Sequence, residues 1–274
     1  MNNITLVTGL WNIGRESLED SSFQRNFDHY LGCFEKLLSL DFKFHIYIDD
    51  ELFDFVRSKR DIYKTYIHLK SLKELATEFP HFNSVQKIRT NPDWYNLNGW
   101  LRDSTQAKLE YYNPIVMSKY SLLNEASKKN FFNSRYLFWI DAGLANSVHP
   151  DYIRNLNNLQ KFMDMIVDKF LMLSFPYESM YEVHGFEVNQ FARFCGVDKT
   201  DYVCRGGFFG GTPEKIQTIN PLYNDEMNKC FESNLMGTEE NFLTILCHKY
   251  PELIHRFKLP DSLVYHFFDN LKIL

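Results

Sequence analysis

Cysteine is scarce and scattered. Five occur (Cys33, Cys195, Cys204, Cys230, Cys247), an odd number with no C-x-x-C pair, which excludes a disulfide framework and a structural zinc site and points to a reducing cytoplasmic setting. In that setting the sequon Asn3-Ile4-Thr5 carries no meaning. Long clean apolar runs are missing too. The longest, Phe162 to Tyr177, contains Asp164, Asp168 and Lys169, each costing about 3 kcal/mol at a bilayer centre. The N-terminal MNNITLVTGL has no basic flank and too short an apolar run for a signal peptide. No membrane span is therefore expected, while peripheral association with a membrane stays open. Positive charge is in deficit: 30 Lys and Arg face 35 Asp and Glu, for a net charge of -5. Without a basic stripe interleaved with aromatics, nucleic acid is not an expected partner.

Aromatics, in contrast, are plentiful. With 25 Phe and 16 Tyr in a composition that is 45% hydrophobic, the chain has bulk for a large core, which excludes intrinsic disorder. No linker, repeat or low-complexity tract divides it, so a single domain over residues 1–274 is expected. Short β-branched and aromatic runs alternate with helical spacings, the pattern of an α/β sheet flanked by helices. Strands are predicted at Ile4–Thr8, Phe44–Ile48, Thr65–Leu69, Tyr136–Ile140, Leu171–Phe175, Tyr202–Phe209 and Ile254–Phe257. Helices are predicted at Phe23–Leu40, Ile115–Ala126, Tyr152–Lys169, Pro213–Phe231 and Glu239–Lys249. Asp151 and Thr212 read as N-caps, with Pro213 in a first helical turn. Phe79–Tyr112, rich in Asn, Trp and Tyr, lacks a period and reads as a long functional loop or a small subdomain.

Sheets of this kind bind ligands at the C-terminal ends of their strands. Three constellations qualify. In Tyr136-Leu137-Phe138-Trp139-Ile140-Asp141-Ala142-Gly143 an apolar strand ends in one carboxylate. Asp141 either holds a divalent cation there or caps the next turn while Gly143 takes a positive φ. In Arg205-Gly206-Gly207-Phe208-Phe209-Gly210-Gly211 four glycines in six positions let backbone approach a phosphate or sugar, or else serve a bulged strand and tight turn. In Gly237-Thr238-Glu239-Glu240-Asn241 two acidic residues open a helix. They point about 100° apart, so one can complement the helix dipole while the other faces a cleft. Lys119 precedes the Asp141 strand on a helix, as a donor contact or a solvated side chain. His266 is a candidate metal ligand or a satisfied core histidine. Trp11 and Arg15 follow the first strand, Trp11 as core or as a base-stacking platform.

Together these residues resemble a glycosyltransferase of the GT-A fold, a Rossmann-type mixed sheet flanked by helices. Ser118-Lys119 followed by Trp139-Ile140-Asp141-Ala142-Gly143 is similar to the S/T-K and D-x-D layout of that fold. The chain most resembles the bacterial HtrL/YibB-like family, through Val7-Thr8, Ile13-Gly14-Arg15 and the run from Trp139 to Gly143. Gly206-Gly207-Phe208-Phe209-Gly210-Gly211-Thr212, with the later Glu239-Glu240-x-x-Leu243, is similar to retaining α-galactosyltransferases of the blood-group type. The second Asp of D-x-D is Gly143 here, and the histidine of the blood-group motif is Phe242.

The resemblance implies a nucleotide-sugar donor, a UDP-sugar in the first instance, with Mn²⁺ or Mg²⁺ on Asp141. His266 resembles the late histidine of glycogenin-like metal sites. Thr8, Trp11, Arg15, Lys119, Arg205, Gly206 and Gly207 would bind the donor, and Glu240 would lie beneath the anomeric carbon with Glu239 beside it. Trp94, Trp100 and Arg102 offer an acceptor surface for a glycan or other hydroxyl, with surface polysaccharide synthesis as the analogous setting. Two readings from other classes stand beside this one. A nucleotidyltransferase would carry a Gly-rich basic loop after the first strand, where this chain has Gly9 alone before Ile13-Gly14-Arg15. A non-catalytic sugar-binding or assembly protein on a degenerate transferase fold would account for Gly143.

Overall fold

The computed structural model describes residues 3–96 and 100–273. Among them nine strands form: β1 Ile4–Leu10, β2 Lys43–Ile48, β3 Thr65–Leu69, β4 Tyr136–Ile140, β5 Phe170–Pro176, β6 Glu182–Val183, β7 Phe186–Glu187, β8 Tyr202–Gly211 and β9 Ile254–Lys258. Seven make one sheet in the order β3-β2-β1-β4-β8-β5-β9, and β6 pairs with β7 as a separate hairpin. β3, β2, β1 and β4 are parallel; β8 runs antiparallel to β4 and β5, and β9 is parallel to β5. All seven strands read from the sequence are present. The hairpin has two residues per strand, too few to show a period.

The α-helices are α1 Phe27–Leu38, α2 Phe53–Lys59, α3 Leu72–Glu78, α4 Phe82–Arg89, α5 Thr105–Lys108, α6 Tyr112–Lys129, α7 Pro150–Ile153, α8 Leu159–Met165, α9 Val188–Cys195, α10 Pro213–Glu232, α11 Glu239–Lys249 and α12 Tyr265–Asn270. Three expectations need correction. α1 starts at Phe27 because the Asn26 side chain accepts from Asp28 N at 3.0 Å. The helix expected over Tyr152–Lys169 is broken by a 3-10 turn at Arg154–Asn158 and stops at Met165, before Val167 and Asp168 adopt positive φ. His149 caps α7, with Pro150 in its first turn, where Asp151 was expected. Thr212 does cap α10 ahead of Pro213. Phe79–Tyr112 holds α4, α5 and 3-10 turns rather than a bare loop, with residues 97–99 outside the described set.

β4 is buried throughout. Its pairing with β8 explains half of the glycine run: Gly210 lies opposite Phe138, where a Cβ would meet the Leu137 carbonyl and fall 2.7 Å from Phe138 Cα. Phe138 in turn stacks on Phe208 with centroids 5.2 Å apart. On the helical layer, Tyr120 of α6 stacks on Tyr223 of α10 at 5.0 Å, and its hydroxyl donates to the Ile216 carbonyl. Burying rings of this size contributes roughly 1.5–3 kcal/mol each, and this packing holds α6 in place over the sheet.

Candidate active site

Strand direction builds the site. β4 ends at Ile140, and the Asp141 N–H donates to the Gly207 carbonyl at 3.0 Å, one step beyond the Ile140–Phe208 pair. Because β8 is antiparallel, its first half lies beside the tip of β4, so Gly207 meets Asp141 and Arg205 lines the same cleft. The four glycines therefore sit within a strand and form no loop. A Cβ at Gly206 would lie 2.7 Å from Glu239 Cδ, so the bare backbone is what lets the first residue of α11 lie against β8. Gly143 has φ -84°, and the Tyr30 ring lies 3.4 Å from where a Cβ would be, an ordinary contact distance.

Lys119, from the middle of α6, ties these pieces together. Its Nζ donates to Asp141 Oδ2 at 2.9 Å, Glu239 Oε1 at 2.7 Å and the Gly206 carbonyl at 3.2 Å, which uses all three N–H groups. Trp139 Nε1 donates to Asp141 Oδ1 at 2.7 Å. Lys119 and Glu239 are nearly inaccessible, whereas the Asp141 side chain is 34% exposed. Burial disfavours the ammonium, but Asp141 and Glu239 outweigh it and raise the lysine pKa above its ordinary value. Burial pushes the Glu239 carboxyl up, with Lys119 opposing. Neither glutamate caps α11: the Asn241 side chain accepts from Thr238 N instead.

Glu240 takes the other direction. Its Oε1 accepts from Gly206 N at 3.0 Å and lies 3.6 Å from Arg205 Nη1, and its Oε2 faces His184 Nδ1 at 3.3 Å. Arg205 is fixed over the Phe175 ring and donates to the Ser262 carbonyl. His184 carried no sequence signal: it sits alone in the β6–β7 turn, with no period or motif around it.

These residues line one cleft of about 630 Å³. Beside it opens a smaller, apolar recess of about 130 Å³ with Leu10, Trp11, Tyr30 and Tyr112 among its walls. Burial pushes the Tyr112 phenol up to about 12. Arg15 borders both spaces, donating to the Phe23 carbonyl and the Tyr30 hydroxyl. Trp11 is buried, its Nε1 bonded to the Lys70 carbonyl at 2.7 Å, and its ring folds back over Gly9. Thr8 is fully buried, its hydroxyl has no partner among the described residues, and it does not line the cleft. His266 also lies outside the lining, facing Asp261 at 3.2 Å. Trp94 is buried against the hairpin, donating to the Gly185 carbonyl, while Trp100 is partly exposed and donates to Glu182. The Arg102 side chain is 66% exposed. Among the described residues no group of three or more His, Cys, Asp or Glu is arranged to hold a metal, and no helix is long and apolar enough to cross a membrane.

Core-mannan synthase A (CmsA/Ktr4) from Aspergillus fumigatus, in its Mn/GDP form, superposes with a TM-score of 0.55 at 8% identity, covering 94% of this chain and 73% of that one. Mouse xyloside xylosyltransferase 1 in apo form gives 0.47 at 12% identity, covering 93% and 84%. The Anaerococcus prevotii 4-diphosphocytidyl-2C-methyl-D-erythritol synthase gives 0.46 at 8%, covering 100% and 97%. At such identities the likeness concerns the fold, and the seven-stranded mixed sheet matches GT-A-like glycosyltransferase folds. No curated protein matches the sequence. Residues 2–273 match the model of the family described as bacterial protein of unknown function (HtrL_YibB), and the chain belongs to that family.

Proposed function

We propose that this protein transfers a sugar from a nucleoside diphosphate donor, a UDP-sugar in the first instance, to a hydroxyl of a glycan or similar acceptor. The observation that carries the reading is the buried Lys119 ammonium, which binds Asp141 at the tip of β4 and Glu239 at the start of α11 within one cleft. Breaking a sugar–diphosphate bond builds negative charge on the leaving phosphate and positive charge on the sugar, so a site needs fixed charges of both signs. Arg15, Lys119 and Arg205 supply one sign along this cleft and Asp141, Glu239 and Glu240 the other. The aromatic recess by Trp11 and Tyr30 suits a planar base, and Arg15 at its border would meet the diphosphate.

Toward Mn²⁺ or Mg²⁺ the donor set is lean, since position 143 is glycine and His266 pairs with Asp261. Such ions need few protein ligands where phosphate and water complete the shell. The three positive and three negative groups named above already balance, so an entering diphosphate brings charge that a divalent ion would neutralise. Asp141 therefore fits as the one carboxylate holding a metal that arrives with the donor; when bound, the ion would neutralise the leaving diphosphate. Lys119, with no N–H to spare, orients Asp141 and Glu239.

Nucleoside diphosphate release from UDP- and GDP-sugars, measured with Mn²⁺ and with simple sugar acceptors, tests this. Asp141→Asn should keep its circular dichroism and lose roughly 10²–10³-fold in rate. Donor binding without release by the wild type would instead mean a non-catalytic sugar-binding protein.

A further inference from the structure

Transfer to a hydroxyl needs a group to receive its proton, and the carboxylate that faces the cleft is already engaged. Glu240 meets the Gly206 N–H, the Arg205 guanidinium and His184. Both of its oxygens are turned to these partners.

His184 has the opposite endowment. Its backbone sits at φ 51°, a left-handed conformation that a non-glycine residue holds only when its surroundings impose it. Those surroundings are explicit. Asn241 of α11 donates to the Val183 carbonyl at 2.8 Å, Trp94 donates to the Gly185 carbonyl at 3.0 Å, and Glu182 accepts from Gly185 N. The imidazole packs edge-on against Tyr177, with centroids 5.4 Å apart. The ring lines the cleft with 21% of its side chain exposed, and its Nε2 is neither enclosed nor bonded to any described residue. Opposite a carboxylate at Nδ1, the neutral ring carries its proton there and its lone pair on Nε2. The 3.3 Å separation is of the kind that tightens when substrate binds.

We propose that His184 is the general base of this site, held through Nδ1 by Glu240 and presenting Nε2 to the acceptor hydroxyl. The inference rests on the transferase reading. As the acceptor O–H bond breaks, its proton moves to Nε2 and the oxygen forms a bond to the anomeric carbon. The bond from that carbon to the diphosphate oxygen breaks, and its electron pair leaves on the diphosphate. Glu240 stabilises the resulting imidazolium, which returns its proton to solvent. One displacement inverts the anomeric configuration, in contrast to the retention implied by the likeness to blood-group-type motifs.

The experiment begins with calorimetric titration of UDP and GDP into wild type, His184→Ala and Glu240→Gln in the presence of Mn²⁺. Turnover with the matching sugar donors and p-nitrophenyl glycoside acceptors follows, with the product anomer read by NMR. His184→Ala should bind nucleoside diphosphate within about twofold of wild type and lose roughly 10²–10⁴-fold in kcat. Added imidazole should restore part of the rate, which a merely structural role would not allow. Glu240→Gln can offer its NH2 to Nδ1 and favour the wrong tautomer, and should lose up to about 10⁴-fold. The product should carry inverted configuration. Retained configuration, wild-type turnover in His184→Ala, or wild-type turnover in Glu240→Gln would each overturn the assignment while leaving the transferase reading standing. Failure of the wild type to bind any nucleoside diphosphate would overturn both.

Discussion

Replacing Lys119 by Met keeps most of the side chain's volume and removes its charge. Lys119 is 7% exposed and Glu239 6%, so the change strands a carboxylate in a place water hardly reaches. Removing one partner of a buried ion pair costs about 3–5 kcal/mol, and at this chain length each kcal/mol lowers the melting temperature by some 2–4 °C. Lys119→Met should therefore melt roughly 6–20 °C below wild type at pH 7. The double variant Lys119→Met/Glu239→Gln removes the stranded charge and should recover part of the loss. The pH dependence has a definite sign. Without the ammonium, burial and the neighbouring Glu240 and Asp141 hold the folded-state pKa of Glu239 above its unfolded value. A proton then stabilises the variant below the unfolded pKa of about 4.3, and that stabilisation disappears as pH rises through the folded pKa. The deficit against wild type should thus narrow on acidification from pH 7 to 5, by up to about 1.4 kcal/mol per unit. Thermal melts measure the first shift, and urea unfolding followed by tryptophan fluorescence measures the recovery and the pH dependence. A Lys119→Met protein as stable as wild type, or a deficit that does not narrow in acid, would refute the claim that a charge balance holds this cleft together.

Gly210→Ala should destabilise by about 2 kcal/mol or more, because its Cβ meets backbone atoms of β4 that cannot swing aside; a melting temperature within 2 °C of wild type, roughly 1 kcal/mol, would show that the two strands can part freely. His45 is buried among Tyr47 and Tyr66, and burial lowers its pKa to about 3. Its stabilisation is present above the unfolded pKa of about 6.5 and is lost as pH falls from there toward 3. Between pH 6.5 and 5 the wild type should lose about 2 kcal/mol more than His45→Phe; parallel urea midpoints for the two proteins would contradict this.

The parts that could be read from the sequence are those in which local composition and tertiary role agree. β4 is apolar because it is buried on both faces, and Asp141 stands out because a carboxylate directly follows it. Thr212-Pro213 marks the start of α10 because cap and first turn lie side by side. What could not be read depends on direction and distance. Nothing in the glycine run says that β8 is antiparallel, and that direction alone brings Gly207 to Asp141. Gly143 invites a positive φ, yet its φ is -84°. Glu239 and Glu240 are identical to a pattern search, and only the lysine on one side and the histidine and arginine on the other separate their roles. His184 has no local signal, since its setting comes from Glu240, Tyr177 and Asn241.

The three bonds of Lys119 span sequence separations of 22, 87 and 120 residues. Ordering loops of that length is entropically unfavourable until the strands they join are in place, and each doubling adds about 0.6 kcal/mol. β8 must also insert between β4 and β5, both of which precede it in the chain. The charge balance of the cleft is thus assembled late: a nascent polypeptide halted before α11 has its lysine and its strand-tip aspartate but neither glutamate.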